Sequence, residues 1–427
     1  MSQDSVVVID GARTPFARAS TVYRKMSAAN LGGVAIREAL QRSAIDPKLI
    51  GEVYLGIVSI PSEGTNVARE ALFDSGLPAE IPCTTVNRYC ASSLETASAM
   101  AAKIQAGDLD FGISAGAESI SSIRALFSQE ATDFFSSLGK VKGPGQMVSK
   151  IAAFKPKYLA PHAPGIKEPT LGLSMGQSAD LMGRLFSVTR AEQDRYALES
   201  HLKAAKGWET GFYKSHVVPV GTPDGKVVDR DTDIRADSSI EKLSKLKPVF
   251  YKDGTITAAN ASPLTDGASA IVLGSERKSR EMGLKPIGRI RAIVTSAIDI
   301  QKEPLLIGPV YAFPKALEKA GVSFQDLELI EMHEAFAAQA LSTIRALEST
   351  TFAKEKLGLS KAIGTVDPTR LNIFGGSIPI GHPFGATGGR MILQTLHALK
   401  SQNKSIGAIS VCAAGGLGMV AILEALN

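Results

Sequence analysis

The sequence predicts an α/β fold made of two similar halves rich in βαβ units, and three observations carry that reading. Short β-branched runs alternate with helix-period stretches, segments of the first half recur in order in the second, and scarce reactive side chains sit at strand-to-helix junctions in both. Along the chain, Val-Val-Val-Ile at 6–9 is an apolar run of strand length. Residues 28–43 space their apolar positions for one helix face, and 52–55 is a second strand. A helical stretch over 91–106, with Ala, Leu and Met on one side, leads into a strand at 111–115.

The second half repeats this rhythm. LIGEVYLG (49–56) is answered by LELIEMHE (327–334), and the helix after Cys90 by one over 386–399. LDFGISAGAES (109–119) is answered by IGAISVCAAGG (406–416). A duplication of such long period predicts halves that face each other across a shared site. We assign 1–120 with 249–279 to the N-terminal half and 280–427 to the C-terminal half. Residues 121–248 form an insertion, with phenylalanines at 127, 134 and 135 and a Lys-rich segment. Inside it, 189–211 reads as a helix, with Thr189 as N-cap and Gln193 supporting it. The apolar run 409–423 reads as two buried strands around a Gly-rich turn, because its apolar halves are too short to span a bilayer.

Length and composition suit a soluble globular chain with a large core: 427 residues, 44% hydrophobic, 21% charged. A net charge of +5 favours an anionic ligand but is too mild for a nucleic-acid binder. Three cysteines and no evident secretory leader argue against a disulfide framework. The expected location is intracellular and reducing, cytoplasm or mitochondrial matrix. The C-terminus does not match the peroxisomal Ser-Lys-Leu address.

Four motifs concentrate reactive groups. Cys90, in Val-Asn-Arg-Tyr-Cys, directly precedes a helix, where the dipole and free N–H groups favour a thiolate. His382 lies in a Gly-dense turn opening another helix, positioned to accept a thiol proton or donate to an oxyanion. Cys412 follows a strand and precedes Ala-Ala-Gly-Gly, whose small residues allow close backbone approach to a ligand. His333-Glu334 ends a strand, and Ala337 breaks the spacing of a zinc-protease motif; with no Cys-x-x-Cys pair either, no metal site is expected. Read singly, each residue has a structural explanation as core thiol or turn histidine.

Together, in order, and with Gly11-Ala12-Arg13-Thr14-Pro15-Phe16 and Asn260-Ala261-Ser262-Pro263-Leu264-Thr265-Asp266-Gly267, they resemble the thiolase superfamily over nearly the whole chain. His-Glu-Ala-Phe in place of Asn-Glu-Ala-Phe is similar to the branch holding the β-subunit of the fatty-acid oxidation trifunctional complex. The resemblance implies a five-layered α-β-α-β-α fold and a 3-ketoacyl-CoA thiolase activity with no cofactor, coenzyme A being a substrate. It implies Cys90 as the acylated nucleophile, His382 as its partner and a thioester-oxygen ligand, and Cys412 as the acid/base. His333 would stand where the family's Asn holds a water, and the amides of Cys90 and Ala414 would form a second oxyanion hole. Met175 and Ser262 match positions along the CoA tail, and Ala335 and Phe336 the pocket wall. It further implies a homodimer or homotetramer and a hydratase/dehydrogenase α-subunit as partner; the Lys-rich segment 139–168 is read either as a peripheral membrane contact or as a solvated charged loop. Ser93 and Ala414 depart from the glycines common in the family, and both put the shape of the acyl pocket in question.

Three other readings compete. A biosynthetic acetoacetyl-CoA thiolase would use the same residues in reverse. A β-ketoacyl synthase would lack the second cysteine. A non-catalytic scaffold or lipid carrier would have no need for Cys90, His382 and Cys412 together.

Overall fold

In the N-terminal half the chain runs β1 (Val6–Arg13), α1 (Ala28–Ser43), β2 (Ile50–Gly56), α2 (Val67–Ser75), β3 (Cys83–Val86), α3 (Ser92–Ala106), β4 (Phe111–Glu118) and, after a long excursion, β5 (Thr265–Ser275). The C-terminal half contributes β6 (Gly288–Ala297), α4 (Gly308–Ala320), β7 (Leu329–Met332), α5 (Ala337–Glu348), α6 (Thr387–Ser401), β8 (Ile406–Ala413) and β9 (Leu417–Ala425). The structure, a computed structural model, describes residues 4–61, 64–124, 127–160 and 167–426.

The strand order shows the duplication directly. β2, β4, β5 and β1 lie side by side, with β2 parallel to β4 and the others antiparallel. β7, β8, β9 and β6 repeat that order and those directions. β3 adds a parallel edge strand beside β2, and its counterpart is a single parallel bridge between Ile330 and Leu371 beside β7. The two sets join where Val6–Val8 pairs antiparallel with residues 288–290.

Strands covered by helices on both faces need apolar residues throughout, and all eight residues of β4 are buried. On one outer face α1 and α2 pack Leu31, Ile36 and Leu72 against Val53, Leu55 and Ile113. Between the two sets of strands lie α3 and α6, where Leu94, Met100, Met391 and Leu396 meet Ile271 and Ile409. On the far face α4 and α5 place Val310, Phe313 and Ala338 over Ile330, Val420 and Ile422. The result is the expected five-layer α-β-α-β-α stack. Each fully buried Leu, Ile or Phe contributes about 1.5–3 kcal/mol relative to exposure.

The apolar run 409–423 is two strands around a turn, as expected, and among the described residues no helix is long and apolar enough to cross a membrane. The helix Arg190–Glu209 starts at Thr189, but its reciprocal cap is Glu192 rather than Gln193. A capping box requires the third helical position, which Glu192 occupies; Gln193 points inward and donates to Thr255 Oγ1 at 2.9 Å.

The excursion from β4 to β5 has two parts. Ile123–Lys167 is a compact unit of its own. It holds the helices Gln129–Leu138 and Pro144–Ala152, a cluster of Phe127, Phe134, Phe135, Phe154 and Tyr158 rings, and a Lys157–Glu130 ion pair of 2.6 Å. Residues 161–166 of the Lys-rich segment lie outside the described residues. From Glu168 onward the chain belongs with the main body. There the fully buried Arg13, at the end of β1, makes a bidentate pair with Asp231 at 2.6 and 2.8 Å. Asp231 also accepts from the Phe16 amide and the Trp208 indole, so four donors converge on the buried carboxylate.

One close approach decides where the second half meets the first. The turn at 382–386 lies directly on the ends of β2 and β4, and a Cβ on Gly116 would overlap the Gly385 carbonyl oxygen. Gly116→Ala is expected to lower stability by about 1–3 kcal/mol, read as a lower denaturant midpoint with an unchanged slope.

Candidate active site

Cys90 is held in a turn that local hydrogen bonds determine. Tyr89, just before it, adopts a left-handed backbone with φ of 47°, a conformation that costs a non-glycine residue about 1–2 kcal/mol. The turn compensates. Arg88 N donates to Ser92 Oγ (2.9 Å), Ser92 Oγ donates to the Tyr89 carbonyl (2.7 Å), and Tyr89 N donates to Asn87 Oδ1 (3.0 Å). α3 then begins at Ser92 with no side-chain cap, and the amides of Ala91, Ser92 and Leu94 turn back onto the carbonyls of Arg88, Tyr89 and Ala91 instead.

The other three groups come from the C-terminal half. His333 directly follows β7, and its amide donates to the Ser410 carbonyl of β8 at 2.8 Å. Cys412 lies near the end of β8 and is 1% exposed. His382 follows Gly381, whose φ of 107° favours glycine. The two imidazoles lie with centroids 4.1 Å apart. Cys90 Sγ and one ring nitrogen of each histidine fall within 4.8 Å of one another. The structure thus brings Cys90, His333 and His382 together. Cys412 is near enough that the Cys90 sulfur raises its pKa, and Ala414 near enough that its amide lowers that of Cys90.

Electrostatics correct one expectation. Position before a helix suggested a stabilised thiolate at Cys90, yet burial pushes its thiol up to about 12 and outweighs the amides of Cys90 and Ala414; buried Glu118 adds to the rise. Cys90 keeps partial exposure as a residue, and the dense packing around its sulfur is what penalises the charged form. Burial, reinforced by the Arg390 charge, lowers His382 to about 3. His333 lies well below its ordinary value, chiefly through burial, and Cys412 well above its own for the same reason. The resting centre therefore holds neutral thiols and neutral imidazoles, not a thiolate–imidazolium pair.

Polar groups inside and outside the motifs hold these side chains. Glu118, at the end of β4, accepts from the amides of Val58 (3.1 Å), Ser59 (2.9 Å) and Gly385 (3.0 Å), tying both halves to one buried carboxylate. Glu334 accepts from Ser200, Asn372 and the Ile378 amide. Glu168 accepts from Gly415 N at 2.9 Å and fixes the turn after Cys412. Ser93 accepts from Gly389 N at 2.9 Å, so this departure from glycine links α3 to α6.

The four expected substrate-side residues form a neighbouring group. Ser262 donates through its amide (3.0 Å) and its hydroxyl (3.1 Å) to the Ala335 carbonyl, and Phe336 meets Phe250 edge-to-face at 5.9 Å. Met175 opens the helix Met175–Leu185 beside Gly176, where any Cβ would strike the Phe250 ring. Leu264, two residues beyond Ser262, forms a bridge with His382 and connects this group to the centre.

The Cys90–His333–His382 cluster is also a donor set for a soft divalent cation. Zinc bonds of about 2.0–2.3 Å would require the three groups to draw inward.

Comparison with known proteins agrees with this geometry. Residues 6–277 match the family model for the thiolase N-terminal domain and 284–425 that for the thiolase C-terminal domain. A "3-ketoacyl-CoA thiolase" of Aliivibrio fischeri is 43% identical over 423 residues, covering 99% of this chain and 96% of that protein. One of Vibrio cholerae is 43% identical over 425 residues, covering 99% and 98%. Among solved structures, human mitochondrial 3-ketoacyl-CoA thiolase superposes with a TM-score of 0.84 at 27% identity over all of both chains. Bacillus anthracis acetyl-CoA acetyltransferase superposes with a TM-score of 0.84 at 30% identity over 99% of each chain. With both family models matched across almost the whole length and full-length relatives above two-fifths identity, the chain belongs to the thiolase family.

Proposed function

We propose that this acyltransferase is a 3-ketoacyl-CoA thiolase, cleaving 3-ketoacyl-CoA with CoA to acetyl-CoA and a shortened acyl-CoA in fatty-acid metabolism. The observation that carries the reading is the meeting of two thiols and two imidazoles at one buried centre, together with full-length similarity to relatives named for that activity.

The chemistry follows from the neutral resting state. Cys90 attacks the 3-keto carbon while its proton passes to His382, so charge appears only as it moves onto the substrate. The amides of Cys90 and Ala414 stabilise the tetrahedral oxyanion. The C2–C3 bond then breaks and its electrons enter the acetyl-CoA enolate, whose thioester oxygen faces His333 and His382. Cys412 supplies the proton to C2. Its thiolate then takes the proton of incoming CoA, which attacks the acyl group, and Cys90 departs as a thiol by taking back the proton held on His382. Each oxyanion donor is worth about 3–4 kcal/mol of barrier, and burial favours these dipoles over competing water.

The elevated thiols suit this sequence. A thiol held neutral by burial can give its proton to a carbanion, and it avoids the isolated buried charge that would otherwise have to be stabilised.

A homo-oligomer belongs to the proposal, with β3, paired among the described residues only to β2, as an edge for a second copy. So does membrane contact through the Lys-rich segment 139–168, where Val148, Ile151 and Leu159 are exposed among lysines. A hydratase/dehydrogenase partner rests on the family resemblance alone.

The direct test is thiolysis of 3-ketoacyl-CoA substrates of increasing chain length, with and without added CoA. Acetyl-CoA release that depends on CoA supports the reading, and its absence at every length overturns it. Cys90→Ala should abolish acylation. Cys412→Ser should still take an acyl group onto Cys90 from an activated thioester while C–C cleavage falls by about 10²–10⁴-fold; equal loss of both steps would remove Cys412 from the proton-transfer role. The pH dependence has a defined sign. A thiol raised to about 12 stays protonated as pH rises through the ordinary cysteine range. The thiolate absorbance lost in Cys90→Ser should therefore show no step between about pH 6 and 9.

A further inference from the structure

The two adjacent histidines differ in what lies behind them. His333 Nδ1 is 2.8 Å from Ser377 Oγ, and that oxygen also receives a hydrogen bond from Arg390 Nη2 at 2.9 Å. His382 Nδ1 is 2.7 Å from Thr387 Oγ1, and the Thr387 hydroxyl donates to the Pro383 carbonyl at 3.3 Å. Both Nε2 atoms are buried and make no hydrogen bond to another protein group.

We infer that Ser377, oriented by Arg390, is a positioning residue that holds His333 with its proton on Nε2, while Thr387 holds His382 with its proton on Nδ1. The adjacent rings are thereby divided into one hydrogen-bond donor and one proton acceptor.

The assignment follows from counting protons. Arg390 has only donors to offer, so it occupies a lone pair of Ser377. Ser377 is fully buried, and the bonds at its hydroxyl are those to Arg390 and His333. If His333 carried its proton on Nδ1, Ser377 would face two donors and its own proton would have no acceptor. A buried hydroxyl proton without a partner is disfavoured, so it points at Nδ1 and the ring proton resides on Nε2. Thr387 is the opposite case. Its proton has the Pro383 carbonyl as an acceptor at 3.3 Å, which lets the oxygen receive the Nδ1 proton of His382 and leaves Nε2 a free lone pair.

Arg390 is itself held in place. Its Nη1 donates to Glu331 Oε1 at 2.6 Å, and Gln394 Nε2 donates to the same oxygen at 3.1 Å and to the Gly375 carbonyl at 2.7 Å. Glu331 ends two residues before His333, while Arg390 and Gln394 lie one turn apart on α6. The pair thus locks the strand carrying one histidine to the helix that follows the other.

The tautomers are properties of the protein. Their kinetic consequence rests on the thiolase reading, in which His382 takes the Cys90 proton and His333 faces the enolate oxygen. If both rings carried Nε2 protons, neither could accept a proton from Cys90 through that nitrogen. With both bare, no imidazole could donate to the oxygen.

Neutron diffraction from deuterium-exchanged crystals of the wild type should place deuterium on Nε2 of His333 and on Nδ1 of His382. Deuterium on Nδ1 of His333 overturns the proposal, and this result does not depend on any assay. Kinetically, Ser377→Ala should lower kcat for 3-ketoacyl-CoA cleavage about tenfold with little change in KM, a part of the 10²–10³-fold loss typical of removing an oxyanion donor. Alkylation of Cys90 by iodoacetamide should proceed at the wild-type rate, because it does not use His333, whereas a general collapse of the site would slow both. Ser377→Thr, which retains the hydroxyl, should restore cleavage. Unchanged cleavage in Ser377→Ala, or parallel loss of alkylation, counts against the positioning role. If the wild type cleaves no 3-ketoacyl-CoA at all, the thiolase reading fails while the diffraction result still decides the tautomers.

Discussion

Removing two thiols and two imidazoles from water to a single location forces every charge in their vicinity to be matched. Burial alone moves Cys90 and Cys412 upward and His333 and His382 downward, and no nearby cation or amide reverses those directions. The centre is consequently neutral at rest. Reactivity then depends on donors and acceptors fixed in advance, because a desolvated site has no mobile water shell to reorganise around a new charge.

That requirement explains why carboxylates surround the site without entering it. Glu118, Glu331 and Glu334 are buried and raised in pKa, Glu331 to about 7. Each accepts from backbone amides, amide side chains, the Ser200 hydroxyl or Arg390, and each joins segments distant in sequence. Glu118 connects β4 to the Gly385 turn, Glu334 connects the end of β7 to the helix Arg190–Glu209 through Ser200, and Glu331 connects β7 to α6. Removing one partner from such a network would leave an uncompensated polar group, which is why these contacts determine geometry more than they add stability.

Much of this was legible in the sequence because the relevant signals are local. Period-two and period-3.6 patterns, strand-to-helix junctions and the order of recurring segments depend on nearest neighbours, and β2, α3, β4, β7, α6 and β8 all formed where those patterns lay. The four reactive residues were legible for the same reason, being rare side chains in glycine-rich or helix-starting contexts. The protonation state of Cys90 was not, since helix position is a local feature and desolvation is set by the whole fold. Ser377 and Asn372 were equally hidden, being ordinary polar residues whose importance arises from partners 44 and 40 positions away. Thr387 and Arg390 sit inside the motif around His382, yet nothing in one dimension pairs Arg390 with Glu331, 59 residues earlier.

The histidine at 333 illustrates how these levels connect. An asparagine at this place could donate only from its amide nitrogen, in one fixed orientation. An imidazole offers a donor or an acceptor on the same atom, so its usefulness depends on control of the ring proton. Ser377 and Arg390 supply that control from behind, and the closeness of Gly376 to the Glu334 carboxylate, where any Cβ would collide, holds the Ser377 segment against β7. A histidine placed here without a filled hydroxyl behind it would be free to adopt the tautomer of its neighbour. The identity of one reactive residue therefore carries with it a requirement on a serine, an arginine and a glycine that never touch the reacting atoms.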